Sequence, residues 1–167
     1  MSPVPIETLF AQYHQSLVRM LYRRTGDQDR AEDLAQEVFA RALDAPPENP
    51  RPWLFAVALN LVRDDGRRAV RQGRRLQLLK AETTTAASPP DDDYERNEKT
   101  KTVRAALEQL RDVDREVLLL KAEGFDYDEI AAATGLAKGA IGTTLSRARK
   151  RLVEAYRAQE KDRHVAS

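Results

Sequence analysis

Residues 125–152 read FDYDEIAAATGLAKGAIGTTLSRARKRL and have the clearest structural pattern in the chain. The pattern predicts two short helices joined by a tight turn at Gly135, because glycine adopts a positive φ angle at low cost. We expect Ile130 and Ala131 to face inward from the first helix. Leu136 and Ile141 would then hold the second helix against it. Such a helix-turn-helix places its second helix in the major groove of DNA, whereas a hairpin used only for packing would look similar.

The segment ends in a basic run, which favours the DNA-binding interpretation. The basic residues of this run are Arg147, Arg149, Lys150 and Arg151. Guanidinium and ammonium groups in this position suit contact with DNA phosphates, and affinity that depends on such contacts falls as the salt concentration rises.

Charge is distributed unevenly along the chain. The totals are 28 Lys and Arg against 27 Asp and Glu, a formal net charge of +1 that by itself argues against a nucleic-acid partner. Residues 60–80 hold seven basic and two acidic residues, and residues 145–163 hold seven and three, whereas residues 81–98 hold six acidic residues and one basic. Two basic tracts around an acidic stretch are typical of a protein that contacts a polyanion at two places. Solvated arginine-rich helix ends are the alternative.

Composition excludes several classes of protein. The chain has no Cys, and its two histidines, His14 and His164, are too few for a histidine-rich metal site. It has no glycine-rich phosphate loop, nucleophile motif or metal-ligand spacing, so we predict no catalytic residue and no cofactor. No apolar run approaches the ~20 residues of a membrane span, and the N-terminus lacks a basic region before an apolar core. We therefore expect a cytoplasmic protein without membrane insertion.

Outside the acidic stretch, apolar residues recur at helical spacing, which predicts helices. We expect Gly26 to end the first helix, and Asp29 with Glu32 to begin the second as a capping box. Residues 44–52 hold four prolines and are predicted to form an irregular loop. Asp114 is expected to cap a short helix. Predicted core-facing residues of the first and fourth helices include Phe10, Val103, Leu107 and Leu110. No segment alternates with a period of two, so the predicted fold class is all-α.

The acidic stretch marks the predicted domain boundary. Residues 81–95 read AETTTAASPPDDDYE, lack apolar periodicity and contain two adjacent prolines, which is typical of a flexible linker. We therefore predict two small helical domains, residues 1–80 and residues 96–167. About 15 extended residues reach ~50 Å, so the two basic tracts can bind separate parts of one ligand.

Three segments resemble one known family, the extracytoplasmic-function (ECF, group 4) sigma factors of RNA polymerase. Residues 106–152, with the DREVLLL run, the EIA triplet, the Gly-Leu turn and the SRARKRL ending, are similar to sigma region 4. Residues 9–43 resemble regions 2.1 and 2.2, and residues 52–68 resemble the promoter-melting helix. The segments follow the family's order and together cover nearly the whole chain.

The resemblance implies a sigma factor that binds RNA polymerase core, recognises the −10 and −35 elements of promoter DNA and opens the −10 region. Residues 1–80 would serve core binding and the −10 element, and residues 96–167 would serve the −35 element. The implied partners are the core enzyme, through its β′ coiled coil and its β subunit, promoter DNA, and an anti-sigma factor.

The resemblance also assigns site residues. The residues implied at the polymerase face are Glu32, Asp33, Gln36 and Glu37. Those implied at the −10 element are Trp53, Asn60, Arg63, Arg67 and Arg68. Those implied at the −35 element are Lys138, Thr143, Thr144, Arg147, Arg149, Lys150 and Arg151. An ordinary core position is the alternative for Trp53, and an ordinary solvated face is the alternative for the acidic residues.

The second helix of the helix-turn-helix departs from the family pattern at Ala137, Ala140 and Gly142. Ala137 removes an N-cap side chain worth about 1 kcal/mol. Gly142 stands where the family has a basic phosphate contact, and it weakens the helix interior by up to ~1 kcal/mol. Two alternatives to a sigma factor therefore stay open: a stand-alone helix-turn-helix regulator, and a sigma-like decoy that binds an anti-sigma factor without reading a promoter.

Overall fold

The computed structural model describes residues 3–76 and 94–165, with side chains described for residues 3–66 and 98–165. Within these ranges the chain forms seven α-helices and no strand, which confirms the all-α prediction. The helices are α1 (Ile6–Thr25), α2 (Gln28–Asp44), α3 (Pro50–Leu76), α4 (Tyr94–Glu108), α5 (Asp112–Ala122), α6 (Tyr127–Thr134) and α7 (Lys138–Val165). Helices α1–α3 form the first half of the molecule, and α4–α7 form the second half.

Helices α1, α2 and α3 pack on one another around apolar side chains. Gly26 ends α1 with a φ angle of 74°, as predicted, and its N–H donates to the carbonyl of Tyr22 at 2.7 Å. Phe10 does not join the core. Its side chain is 44% exposed and stacks on the His14 ring with a centroid separation of 4.2 Å. The neighbouring Leu9, which the apolar periodicity also predicts to face inward, is buried.

The start of α2 differs from the prediction by two residues. Asp27, not Asp29, is the N-cap, and its Oδ1 accepts a hydrogen bond from the backbone N–H of Arg30 at 3.1 Å. Asp27 has the extended backbone that an N-cap requires, with φ −130° and ψ 114°. Asp29 lies inside the first turn, where its negative charge interacts favourably with the helix N-terminus.

The proline-rich loop is shorter than predicted, because α3 begins at Pro50 and includes Pro52. The first four N–H groups of a helix have no intrahelical partner, so proline sacrifices no hydrogen bond in the first turn. The irregular segment is therefore confined to residues 45–49. This early start gives α3 one continuous helical surface from Pro50 past Asn60.

In the second half, the inward face of α4 is rotated from the predicted one. Thr102 and Ala106 are buried and Val103 is 39% exposed, whereas Leu110, just after the helix, is buried as predicted. Thr102 tolerates burial because its hydroxyl donates to the carbonyl of Glu98 at 2.8 Å. Helix α5 begins at Asp112, so Asp114 is not its cap but a buried residue of its first turn.

The two halves pack against each other, with α3 on α6 and α1 on α5. The rings of Phe55 and Phe125 meet edge to face at a centroid separation of 4.8 Å, and one apolar cluster runs through both halves. The predicted linker, residues 81–95, lies outside the described residues up to residue 93, and α4 begins at Tyr94.

Candidate nucleic-acid and polymerase interfaces

Helices α6 and α7 form the predicted helix-turn-helix. Asp126 begins α6 with a capping box: its side chain accepts from the N–H of Glu129 at 2.8 Å, and the Glu129 carboxylate accepts from the N–H of Asp126 at 3.1 Å. Gly135 has the predicted positive φ angle, 79°. Ile130 and Ile141 are fully buried, so the two helices are fixed against each other.

This packing turns one face of α7 towards solvent. Thr143, Ser146, Arg147 and Lys150 line an open depression on it, together with Gly142. Ser146 was missed in the sequence assignment, although its spacing of three and four residues from Thr143 and Lys150 places it on the same helix face. Arg149 is also exposed, on the adjoining surface.

Four of the residues implied at the −35 element interact with other groups of the protein. They are Thr144, Lys138, Arg147 and Arg151, and the last two approach the Asp114 carboxylate. Thr144 is only 6% exposed, and its hydroxyl donates to the carbonyl of Ala140 at 2.7 Å, so it does not present a group to a ligand. The burial of Thr144 contradicts the expectation that it reads bases. Lys138 lies at the start of α7 and pairs with Asp128 at 2.9 Å, which raises the pKa of the Lys138 ammonium.

Gly142 faces the ring of Tyr127. A β carbon placed on Gly142 would lie 3.4 Å from Cε2 and 3.5 Å from the hydroxyl oxygen of Tyr127, which is close to ordinary van der Waals contact. Space therefore does not demand glycine at this position. Tyr127 itself is 43% exposed, beside the open depression of α7.

The residues implied at the −10 element lie on α3 in different environments. Asn60 is exposed, and its amide faces solvent. Trp53 is partly buried and packs against the apolar core, in agreement with the alternative given for it. Arg67 and Arg68 belong to α3, but their side chains are outside the described part of the chain.

Arg63 forms an ion pair across the two halves. Its Nε and Nη2 atoms both donate to the carboxylate of Glu116 on α5, in a two-pronged arrangement. The Glu116 side chain is 7% exposed, whereas that of Arg63 is 36% exposed. The hydrogen bond to Glu116 raises the pKa of the Arg63 guanidinium, which stays charged.

Further ion pairs tie the halves together. Arg51 donates to Oε2 of Glu129 at 2.6 Å and to the carbonyl of Glu123 at 2.8 Å, and its guanidinium carbon lies 4.3 Å from the centroid of the Phe125 ring. The buried Glu123 carboxylate accepts from both Arg19 and Arg23, at 2.7 and 3.0 Å. Sequence analysis missed these pairs because no local pattern relates residues that lie 72 to 104 positions apart.

The four residues of the predicted polymerase face all lie exposed on α2. They are Glu32, Asp33, Gln36 and Glu37, and together we call them the acidic face. Within it, Glu32 accepts from Gln28 at 3.0 Å, and Glu37 pairs with Arg41 at 3.2 Å. Asp33 has no ion pair with any described residue. The face thus keeps an uncompensated negative charge next to Gln36.

In the described part of the chain, no helix is both long enough and apolar enough to cross a membrane. Residues 3–66 and 98–165 also contain no group of three or more acidic or histidine side chains arranged to hold a metal ion.

Two family models match the chain, in the order of its two halves. Sigma-70 region 2 matches residues 9–72, and Sigma-70 region 4 matches residues 100–152. Among relatives, RNA polymerase sigma factor YlaC of Bacillus subtilis is 33% identical over 154 residues, which cover 88% of this chain and 89% of YlaC. ECF RNA polymerase sigma factor EcfG of Rhodopseudomonas palustris is 35% identical over 139 residues, 77% of this chain and 72% of EcfG.

Two solved structures share the arrangement of the helices. The sigma factor RpoE of Bartonella quintana, crystallised with the anti-sigma factor NepR, superposes with a TM-score of 0.64 at 26% identity, over 90% of this chain and 96% of that one. CnrH, in complex with the cytosolic domain of CnrY, is 24% identical with a TM-score of 0.65 and supports the fold alone, over 92% of this chain and 88% of CnrH. Both sigma regions match in order, and relatives at least 33% identical are covered over 72% or more of their length. The chain therefore belongs to the RNA polymerase sigma factors of the ECF type.

Proposed function

We propose that this chain is a group 4 ECF sigma factor that binds RNA polymerase core, recognises the −10 and −35 elements of its promoters and opens the −10 region. The observation that most supports the proposal is the open face of α7, the second helix of the helix-turn-helix. Its exposed side chains there are Thr143, Ser146, Arg147 and Lys150. A helix presented in this way fits the major groove.

In this proposal, residues 1–80 bind core polymerase and the −10 element, residues 96–167 bind the −35 element, and residues 81–95 connect them. At the −35 element, Thr143 and Ser146 offer hydroxyls to base edges, and Arg147 can donate two hydrogen bonds to guanine. Lys138, Arg149, Lys150 and Arg151 contact phosphates, which fix the register of the helix on the duplex.

At the −10 element, the exposed Asn60 amide both donates and accepts, as reading the edge of an unpaired base requires. Trp53 borders this site, and Arg63, Arg67 and Arg68 supply charge for the phosphates of the opened strand. Separating stacked base pairs costs about 1.4 kcal/mol per step. Capture of unpaired bases, with free energy contributed by core binding, offsets that cost without ATP.

Arg63 cannot bind a phosphate and Glu116 with the same two N–H groups. Contact of these N–H groups with the −10 strand therefore requires that the Arg63–Glu116 ion pair be broken, and separation of the two halves would break it. Carboxylate and phosphate both accept the two-pronged pattern of a guanidinium, so the exchange replaces one anion by another. We propose that core polymerase drives this separation when it binds the two halves apart.

The acidic face of α2 is the proposed contact with the β′ coiled coil, and region 4 is the proposed contact with the β subunit. Exposed carboxylates and an amide suit a basic helical partner, because complementary charge speeds association and selects the partner. An anti-sigma factor is a further proposed partner, since the similar sigma factor RpoE was crystallised with the anti-sigma factor NepR.

The test is to mix the chain with core polymerase and a library of randomised promoter fragments, then sequence the fragments that form open complexes. We expect recovered fragments to share two separated motifs. Asp33→Arg should lower core affinity at least tenfold by placing a positive charge on the acidic face. Glu7→Arg, which makes the same charge change on exposed α1, is the control. DNA binding without core would support a stand-alone regulator, and neither activity would support the decoy.

A further inference from the structure

Helix α5 carries a second buried carboxylate that faces away from the first half of the molecule. Asp114 is 0% exposed, yet its Oδ2 accepts from Arg151 of α7 at 2.6 Å and from Arg111 at 3.4 Å. Nη2 of Arg147 lies 4.0 Å from Oδ1, an atom that has no hydrogen-bond partner among the described residues. Three guanidinium groups therefore surround one buried carboxylate.

The arrangement places the negative charge inside and the positive charges outside. The side chains of Arg111, Arg147 and Arg151 are 58%, 45% and 41% exposed. Burial, the largest single influence, works to raise the pKa of Asp114, but the hydrogen bonds and the positive charges of Arg151 and Arg111 together hold the pKa below its ordinary value. The carboxylate therefore stays ionised and attracts the arginines from the buried side.

We propose that Asp114 is a positioning residue for −35 recognition, which orients Arg147 and Arg151 so that their outer N–H groups point towards DNA. This inference rests on the proposed function. A long arginine side chain loses rotamer freedom when it binds, and a fixed inner contact removes part of that loss beforehand. Arg147 lines the recognition depression, and Arg151 follows it by one helical turn.

DNA affinities can distinguish a positioning role of Asp114 from an effect of its negative charge. Asp114 adds a negative charge close to DNA, so its removal should leave binding to unrelated DNA unchanged or strengthen it. Loss of orientation should instead weaken binding only where the arginines meet the correct bases. The ratio of the two affinities therefore separates the roles.

The experiment uses holoenzyme made from core polymerase and the full chain. The dissociation constant is measured for a promoter recovered from the library and for the same fragment with a scrambled −35 element. Asp114→Asn should lower the ratio about tenfold, the equivalent of one good base contact, without weakening binding to the scrambled fragment. Asp112→Asn is the matched control: it removes the same charge from the same turn of α5, but Asp112 pairs with Arg115 at 2.7 Å. Its ratio should stay within about twofold of the wild type.

A variant that lacks both arginines shows whether Asp114→Asn acts through them or through a general change in structure. When Arg147→Gln and Arg151→Gln are already present, Asp114→Asn should cause no further fall in the ratio. An equal fall in that background overturns the proposal, as does an unchanged ratio for Asp114→Asn alone. If Asp114→Asn does not fold, Arg147→Lys tests the orientation of the base-reading arginine from outside, since it keeps the charge but loses the two-pronged guanidinium, and an unchanged ratio overturns the proposal. A wild-type holoenzyme that ignores the −35 sequence overturns both the proposed function and this inference.

Discussion

The two surfaces proposed to meet promoter DNA differ in where their arginines find a carboxylate. Arg63 on α3 pairs with Glu116, which belongs to the other half of the molecule. Arg151 on α7 pairs with Asp114, which belongs to its own half. The two carboxylates lie only two residues apart on α5, and this spacing turns them to different sides of the helix.

Because of this difference, an ion pair between the halves occupies Arg63 on the −10 surface, whereas the −35 surface is open to DNA. An ion pair within one half travels with that half and can orient an arginine for a ligand. An ion pair between halves must be broken before the ligand binds, so it competes with DNA. We therefore expect the −35 surface to be accessible in the packed arrangement, and the −10 surface to become accessible when the halves separate.

The largest expected effect comes from Asn60→Ala, which removes the proposed base-reading amide from the −10 surface alone. Loss of one base contact costs about 1–3 kcal/mol, so holoenzyme affinity for the matched −10 strand should fall by roughly 5- to 150-fold. Competition binding with −10 variants measures it, and core affinity, measured by co-elution, should not change. A parallel loss at scrambled −10 sequences would mean that Asn60 does not read bases.

Breaking the ion pair between the halves should have an intermediate effect. Glu116→Gln removes the charge that holds Arg63, so the free chain should bind a single-stranded −10 oligonucleotide about tenfold more tightly. The chain has no native Cys, so dyes on Asp44→Cys and Asp162→Cys would report the separation of the halves by energy transfer. Binding is measured by fluorescence anisotropy without core enzyme.

The control for that variant is Asp112→Asn, which removes an equal charge from α5 but breaks a pair within the second half. It should change neither the energy transfer nor the oligonucleotide affinity. Unchanged values for Glu116→Gln would refute the view that the ion pair covers the −10 surface.

The smallest expected effect comes from adding a positive charge to the −35 surface of α7. Gly142→Lys should strengthen binding of −35 duplex a few-fold and steepen the dependence of log affinity on log salt by about one. Gly142→Ala is its control, since both variants should raise helix stability by about 0.5–1 kcal/mol while only lysine adds charge. Thermal unfolding measures the change in helix stability, and DNA binding at a series of salt concentrations measures the added charge contact. Equal DNA affinities for the two variants would show that position 142 does not face DNA.

Local features of this fold could be predicted from the sequence, because a few neighbouring residues determine them. Gly26 and Gly135 end helices as expected, and the periodicity gives the helix-turn-helix. Where two local solutions compete, the sequence alone did not decide, as at Asp27 against Asp29 or the prolines that begin α3.

The sequence predicted the exposed face of α7 in outline, but not the ion pairs that the DNA-facing arginines form. Helical spacing brings Thr143, Arg147 and Lys150 to one face, but it gave no warning that Thr144 turns inward. The pairing of Arg63 with Glu116 joins residues 53 positions apart, and the burial of Asp114 depends on arginines from another helix. Such contacts follow from the packing of helices, which no short segment specifies.

Under the proposed function, this chain opens promoter DNA only as part of RNA polymerase. Permanganate oxidises unpaired thymines, so its reaction with the −10 region of a recovered promoter measures opening directly. We predict reactive thymines when core enzyme and chain are both present, none with either alone, and a weaker reaction with Asn60→Ala holoenzyme. The absence of reactive thymines with both present, or their appearance with core alone, would contradict the account.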